Sequence, residues 1–132
     1  MEFETALQVG MKEEVTELVT TENTAVRMGS GSLPVYATPA MSCRMEQAAA
    51  VLAERYMPDG WTTVGISLQL AHKAATPVGL MVHAVAEVVA VEGRKITYKV
   101  TAWDDREEIG SGLHERFAVQ KEKFMGKAQA KK

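Results

Sequence analysis

The stretch that decides the fold is TPAMSCRMEQAAAVLAERY, Thr38–Tyr56, because it is the segment with a sustained helical period. Thr38 is predicted to cap this helix with its hydroxyl, Pro39 to take the first helical position, and Pro58-Asp59-Gly60 to end the helix. The alanines at positions 48–50 predict close packing against a sheet. The apolar face is formed by residues spaced three and four apart: Met41, Met45, Ala48, Ala49, Leu52, Ala53 and Tyr56.

Both sides of this helix predict β-structure. Residues 13–27 alternate and are rich in valine and threonine, which predicts one strand, and residues 28–34 predict a loop. Four further strands are predicted at 62–70, 80–91, 95–103 and 107–120, paired as an antiparallel meander. In the first of these, the even-numbered residues from Val64 to Leu70 are predicted to share one face. Gly110 and Gly112 predict a bend or bulge in the last strand.

The element order predicts an α+β fold in a single domain, residues 1–132, with a core of about 10–125 and a flexible tail at 126–132. One helix covers only one face of a sheet, so the other face or an open edge calls for a partner, and a homodimer supplies it. The composition, 46% hydrophobic and 24% charged, is typical of a soluble globular protein.

Several classes of partner and compartment are disfavoured. The net charge of −2 gives no reason to expect nucleic acid or an anionic membrane, and the lysine-rich end, 121–132, is interpreted as solvated. The longest apolar run, Val78–Val91, is interrupted by charge and too short to span a membrane. The acidic N-terminus predicts no secretory signal. Cys43, the only cysteine, forms no disulfide within the chain and fits a cytoplasmic location.

Two residues stand out as candidates for chemistry. Glu46 interrupts the apolar stretch of the helix, where it either faces solvent or is forced into apolar surroundings that would raise its pKa. His72 ends a strand and is followed by Ala74, Ala75, Thr76, Pro77 and Gly79, which leave room beside its ring. His83 and His114 lack that setting and are interpreted as ordinary strand residues. No His spacing suited to a metal and no serine-elbow, phosphate-loop or dinucleotide motif is present in the sequence.

Three segments together resemble the hot-dog-fold thioesterases, most closely the fluoroacetyl-CoA thioesterase branch. They are TPAMSCRMEQAA, VGISLQLAHKAATPVG and VEGRKITYKVTAWDDREEIGSGLHERFAV, and the resemblance extends over about residues 10–125. It implies a long central helix wrapped by an antiparallel sheet, and a homodimer with its active sites at the subunit interface. Whether dimers pair into tetramers is left open.

The resemblance also implies site residues. The catalytic threonine, glutamate and histidine of the branch fall on Thr38, Glu46 and His72, while the glycine beside the acyl group and a substrate-side arginine fall on Gly65 and Arg116. The substrate that the resemblance implies is an acyl-CoA, with coenzyme A entering only as part of it, and no metal or other cofactor is expected. Glu46 acts either as general base or as nucleophile, assisted by His72 and by Thr38, whose hydroxyl is expected to bond Glu46 or the acyl oxygen.

The sequence departs from the branch where aromatic side chains would close the acyl pocket. Residues 27–36, RMGSGSLPVY, contain Tyr36 as their only aromatic, which favours a plain short-chain acyl group as much as a fluorinated one. Three alternatives are retained: a non-catalytic acyl-CoA-binding or sensing module, a structural β-domain with Glu46 exposed, and a hot-dog enoyl-CoA hydratase. The last needs an aspartate near the helix start, whereas Asp59 follows the helix.

Overall fold

The computed structural model describes residues 3–132, so the predicted domain is seen from Phe3 onward. In chain order the elements are β1 Lys12–Leu18, α1 Ala25–Met28, α2 Thr38–Glu54, β2 Trp61–His72, β3 Met81–Glu92, β4 Lys95–Trp103, β5 Glu108–Gln120 and α3 Lys121–Gln129. Among residues 3–132, no helix is long and apolar enough to cross a membrane.

The strands form one antiparallel sheet in the order β1-β3-β4-β5-β2, and this sheet wraps around α2. The helix contacts β1, β2, β3 and β4, and its predicted apolar residues as far as Ala53 are buried, with Met41 and Met45 fully inaccessible. The prediction that Tyr56 continues this face is wrong, because α2 ends at Glu54 and Tyr56 lies beyond it, partly buried. Burying a methionine side chain contributes about 1.5–3 kcal/mol. The predicted α+β class, a long helix wrapped by an antiparallel sheet, is confirmed.

The predicted four-strand meander is correct for β3, β4 and β5 and wrong for β2. Glu92 pairs with Lys95 across a two-residue turn in which Gly93 has a φ of 63°, and such a turn forces β3 and β4 together. Between β2 and β3 the chain runs through residues 73–80, which impose no hairpin. β2 therefore pairs with β5 and becomes an edge of the sheet, opposite the edge formed by β1.

The predicted strand over residues 13–27 ends early, at Leu18. Asn23 Oδ1 accepts a hydrogen bond from the Thr20 backbone N–H, and Thr20 Oγ1 accepts one from the Glu22 N–H. Thr24 in turn caps α1 through the Arg27 N–H. Side chains of this type satisfy backbone groups locally and so compete with a strand, which is why threonine richness was misleading here.

β2 contains a bulge that reverses its facing residues. Gly65 pairs with Arg116 and Ser67 with the next residue along β5, so Ile66 is an extra residue without a partner. Before the bulge, Trp61 and Thr63 are buried, whereas Ile66 is 51% exposed. Beyond it, Leu68 and Leu70 pack against the core. The prediction that all even-numbered residues of β2 share one face is wrong for this reason.

Two features lie near the end of the chain. The register also shifts between β3 and β4, and again between β4 and β5, where the shift falls beside Gly110, at a predicted bulge. The segment predicted to be a flexible tail begins within α3, and every residue of α3 is exposed.

Candidate active site

The start of α2 and the end of β2 bring Thr38 and His72 together. Thr38 Oγ1 and His72 Nδ1 are 2.7 Å apart and share a hydrogen bond. The predicted cap is wrong, because Ala37 is the N-cap residue and Thr38 lies inside the helix, with no side-chain capping bond. The hydroxyl is therefore free to bond the imidazole, and within the described chain it bonds His72 rather than Glu46.

The environment of His72 favours its neutral form. Burial lowers the pKa of the imidazole, and the Ala74 backbone opposes this only in part. Nε2 is shielded from solvent and has no hydrogen-bond partner among residues 3–132. A neutral imidazole has one nitrogen that accepts a proton, so the ring is suited to proton transfer near neutral pH.

A pocket of about 280 Å³ opens beside this pair, and Ala74 and Ala75 form part of its wall, as the small residues after His72 predicted. Tyr36, also in the wall, is only 1% exposed and donates a hydrogen bond from its hydroxyl to Glu17 Oε1 at 2.7 Å. Burial, and next the hydrogen bond to Glu17, raise the pKa of Tyr36 far above its usual range. The Tyr36 ring is thus held in the wall by its burial and by the hydrogen bond from its hydroxyl to Glu17.

Glu46 belongs to a second group of side chains. It follows Thr38 by eight residues, about 12 Å along the axis of a helix. Its side chain is 48% exposed, and Oε2 lies 3.3 Å from Arg116 Nη1. Opposite it on β2 is Gly65, where an added Cβ would collide with Glu46 Oε2. The apolar surroundings considered for Glu46 are absent from the single chain, and an arginine stands there instead.

Arg116 is buried and held by several hydrogen bonds. It is 6% exposed; Nε donates to Thr63 Oγ1 and Nη2 to Thr63 O, both at 2.9 Å. Its remaining nitrogen, Nη1, is directed at Glu46 Oε2 and at His114 Nε2, each at 3.3 Å. A guanidinium fixed in this way presents one N–H edge to the carboxylate with little freedom to turn away.

His114, which the sequence suggested was an ordinary strand residue, is part of this group. It is 1% exposed, and its Nδ1 lies 2.8 Å from Ser67 O at the β2 bulge. Because a carbonyl only accepts, Nδ1 carries the proton and Nε2 accepts from Arg116. Burial is the main cause that lowers the pKa of His114, so the ring stays neutral. Its spacing of two residues from Arg116 on a strand places both on one face, and that was the signal available in the sequence.

The five predicted site residues therefore form two separate groups in one chain. Thr38 and His72 make the first, and Glu46, Gly65 and Arg116 make the second. Along β2, Gly65 and His72 are roughly 20 Å apart at the rise of an extended strand. Within residues 3–132 no group of three or more His, Cys, Asp or Glu side chains is arranged to hold a metal ion.

Comparison with known proteins identifies the class. A solved structure of the fluoroacetyl-CoA thioesterase FlK superposes with a TM-score of 0.89 at 34% identity, over 96% of this chain and 98% of that one. A hot-dog-like protein from Thermanaerovibrio acidaminovorans matches with a TM-score of 0.86 at 22% identity, over 93% and 91%, which shows the fold alone. The protein is a hot-dog-fold acyl-CoA thioesterase.

The family follows from the sequence match. The profile of the fluoroacetyl-CoA-specific thioesterase family matches residues 19–122, most of the chain. The fluoroacetyl-CoA thioesterase of Streptantibioticus cattleyicolor is 41% identical over 97 residues, which are 74% of this chain and 70% of that protein. The chain belongs to this family.

Proposed function

We propose that the protein hydrolyses a small acyl-CoA with Glu46 as the group that attacks the thioester or activates water. The observation that supports this most directly is the surroundings of Glu46 Oε2. Arg116 contacts it from one side at 3.3 Å, Gly65 leaves the opposite strand without a side chain, and the carboxylate remains half exposed. A thioester carbonyl placed over Gly65 lies beside both a carboxylate oxygen and a fixed N–H donor.

Two routes use the same carboxylate. In the first, Glu46 takes a proton from water, the water oxygen bonds to the carbonyl carbon, and the C–S bond breaks. In the second, a Glu46 oxygen bonds to the carbon and expels the thiolate, and water then hydrolyses the mixed anhydride. Both end in a free acid and coenzyme A, whose thiolate takes up a proton. Neither route uses a metal or further cofactor, and trapping with hydroxylamine distinguishes the second.

In this proposal His72 transfers a proton or orients water, and Thr38 positions the His72 ring. A lowered pKa keeps His72 neutral near pH 7, so its ring can orient water or pass a proton to the leaving thiolate. Thr38 fixes the ring through the 2.7 Å hydrogen bond. In a site shared between two copies, backbone N–H groups at the start of α2 in the copy that supplies His72 are the proposed donors to the carbonyl oxygen.

A homodimer is part of the same proposal, because a single chain keeps the two groups apart. α2 separates Thr38 from Glu46 by about 12 Å. A two-fold axis turns one copy's Thr38 and His72 toward the other copy's Glu46. The open edge strand β2 and the exposed apolar residues Ile66 and Leu113, 51% and 52% accessible, supply surface for such an interface.

Mixing two inactive variants tests the shared site. If each site takes Glu46 from one chain and His72 from the other, a heterodimer of Glu46→Ala and His72→Ala has one intact site of two. Random exchange then restores about one quarter of wild-type activity. Sites built within one chain would stay inactive after mixing, and that result would reject the shared site without touching the role of Glu46.

The acyl group is proposed to be small and not restricted to fluorinated acids. The family is named for fluoroacetyl-CoA. Within residues 3–132, however, Tyr36 is the only Phe, Tyr or Trp in the wall of the pocket beside His72, and its hydrogen bond to Glu17 keeps it from swinging as a lid. We place the protein in the cytoplasm, since Cys43 is a free, exposed thiol.

The deciding experiment measures thiol release from acetyl-, fluoroacetyl-, propionyl- and butyryl-CoA by the wild type and by Glu46→Ala. The variant is expected to lose ~10²–10⁴ in turnover. Glu87→Gln is the matched control, because Glu87 is also partly exposed and paired, 3.7 Å from Lys12. Release by wild type and control but not by the variant supports the proposal. Tight binding of acyl-CoA without any release would favour a binding module instead.

A further inference from the structure

α3 and the β3–β4 turn enclose a second pocket, of about 210 Å³, at the far end of β5 from the His72 loop. Three of its six lining residues are cations, Arg94, Lys123 and Lys127, and none is a carboxylate. Val119, Gln120 and Phe124 complete the wall. We refer to these six residues as the α3 pocket. Its lining suits an anion that also carries an apolar part.

The three cations are available to a ligand. Lys123 and Lys127 are one turn apart on α3 and so share a face of the helix. Within residues 3–132, neither lysine nor Arg94 takes part in a salt bridge, whereas the neighbouring Lys121 lies 3.9 Å from Glu54. The Arg94 guanidinium is held 4.8 Å above the Trp61 ring, which limits its freedom before any ligand arrives.

Phe124 indicates which class of anionic ligand fits the α3 pocket. Phe124 lines the pocket and is 41% exposed, so part of its ring is accessible to a ligand. An exposed ring between unpaired cations matches a nucleotide, whose base stacks while its phosphates accept charge-assisted hydrogen bonds. The whole protein carries a net charge of −2, so attraction for a phosphorylated ligand has to come from such a local cluster.

We propose that the α3 pocket binds the 3′-phosphorylated ADP end of coenzyme A, an assignment that rests on the proposed acyl-CoA hydrolysis. The reach is adequate: Trp61, beneath Arg94, is four residues from Gly65 on β2, about 13 Å at the rise of a strand. The pantetheine arm is as long as roughly five residues of extended chain, about 16 Å. The lysine-rich end of the sequence thereby becomes a substrate-binding element.

Comparing two substrates tests this assignment. Acetyl-CoA carries the nucleotide, and the acetyl thioester of N-acetylcysteamine does not. Lys123→Ala combined with Lys127→Ala is expected to raise KM for acetyl-CoA by about tenfold or more, because two charge-assisted contacts are lost. The kcat for acetyl-CoA and the kcat/KM for the short thioester should stay within about twofold of wild type. Alanine favours helix, so α3 remains formed.

The matched control is Lys131→Ala combined with Lys132→Ala, which removes the same charge just beyond α3 and outside the pocket. A control that raises KM as much as the pocket variant would show general electrostatic attraction and overturn the assignment. So would an unchanged KM in the pocket variant, or equal losses with both substrates.

Direct binding separates this proposal from the proposed function. Wild type is expected to bind adenosine 3′,5′-bisphosphate in calorimetry, and the pocket variant to bind it at least about tenfold more weakly. If wild type hydrolyses neither thioester, the proposed function fails, while this measurement still decides on the pocket. Equal binding of inorganic pyrophosphate would overturn the nucleotide assignment in favour of a general anion site.

Discussion

Gly65→Ala is the smallest substitution expected to disable the site. A Cβ at this position would collide with Glu46 Oε2 and lie 3.3 Å from His114 Cε1 and 3.4 Å from Arg116 Nη1. His114 and Arg116 are 1% and 6% exposed and held by hydrogen bonds to β2, whereas the Glu46 carboxylate ends a flexible, half-exposed side chain. The carboxylate is therefore the group that moves.

The size of the effect follows from that movement. Glu46 Oε2 has to retreat by about 1 Å before it reaches ordinary van der Waals contact with the new methyl group. Misplacing a reacting group by this much lowers the rate roughly 10²-fold, or about 2.7 kcal/mol of transition-state stabilisation. Folding loses little, because a partly exposed ion pair contributes no more than about 1 kcal/mol. The expected fall in Tm is about 5 °C or less.

Thiol release gives kcat/KM, and differential scanning calorimetry gives Tm. Gly126→Ala is the matched control, since no atom lies within 4 Å of its added Cβ and the residue is in the exposed helix α3. It should keep full activity and gain about 0.5–1 kcal/mol of stability. Full activity in Gly65→Ala at an unchanged Tm would refute a reaction at the Gly65 face. A Tm loss well beyond 10 °C would mean that the backbone moved instead.

Three further outcomes follow from the contacts of the two histidines and of Asp104. His114→Ala should cost about 2–4 kcal/mol in urea unfolding, and lower kcat, because it leaves a cavity and removes the acceptor of Arg116 Nη1; equal stability would contradict the buried network. Because burial lowers the pKa of His72, the fall of kcat/KM on acidification should have its midpoint below about pH 6.5. A midpoint above pH 6.5 would exclude His72 as the group whose protonation stops the reaction. Burial alone would raise the pKa of Asp104, but hydrogen bonds from the Arg106 N–H, the Thr76 hydroxyl and the Glu107 N–H lower it below 3.8. The unfolded chain then binds the proton first, so this stabilisation is complete above pH 3.8 and lost as pH falls further. In Asp104→Asn, the free energy of unfolding should no longer show the part of its decrease below pH 3.8 that comes from Asp104. An unaltered decrease would contradict a stabilising role of this carboxylate.

The long helix was predictable because its signals are local. Met41, Met45 and Leu52 follow the helical period, and this pattern is visible without reference to any other segment. In the same way, the glycine at position 93 predicts the turn that joins β3 to β4. The pairing of β2 with β5 has no such signal, since the two strands are separated by β3 and β4 and meet only when the sheet curls around α2. A meander was the simplest expectation, and it was wrong at this one strand.

The candidate site likewise has features that were predictable from the sequence and features that were not. Glu46 and His72 were identifiable as residue types in unusual local settings and through the family resemblance. The surroundings of Glu46 were not, because Arg116 lies 70 positions away in sequence and becomes its neighbour only through the Gly65–Arg116 register. His114 was misread for a related reason: its spacing of two residues from Arg116 placed both side chains on one face of the strand, but nothing local showed that this face is buried.

The bulge at Ile66 reconciles two requirements that one regular strand cannot meet. Gly65 must face α2 to leave room beside Glu46, and Leu68 and Leu70 must also face α2 to cover the core. In a regular strand residues 65 and 68 point to opposite faces. The extra residue reverses the phase between them, exposes Ile66, and turns the Ser67 carbonyl to accept the proton of His114 Nδ1. That hydrogen bond fixes the ring that supports Arg116, so the bulge sets the open face beside Glu46 and positions its arginine at the same time.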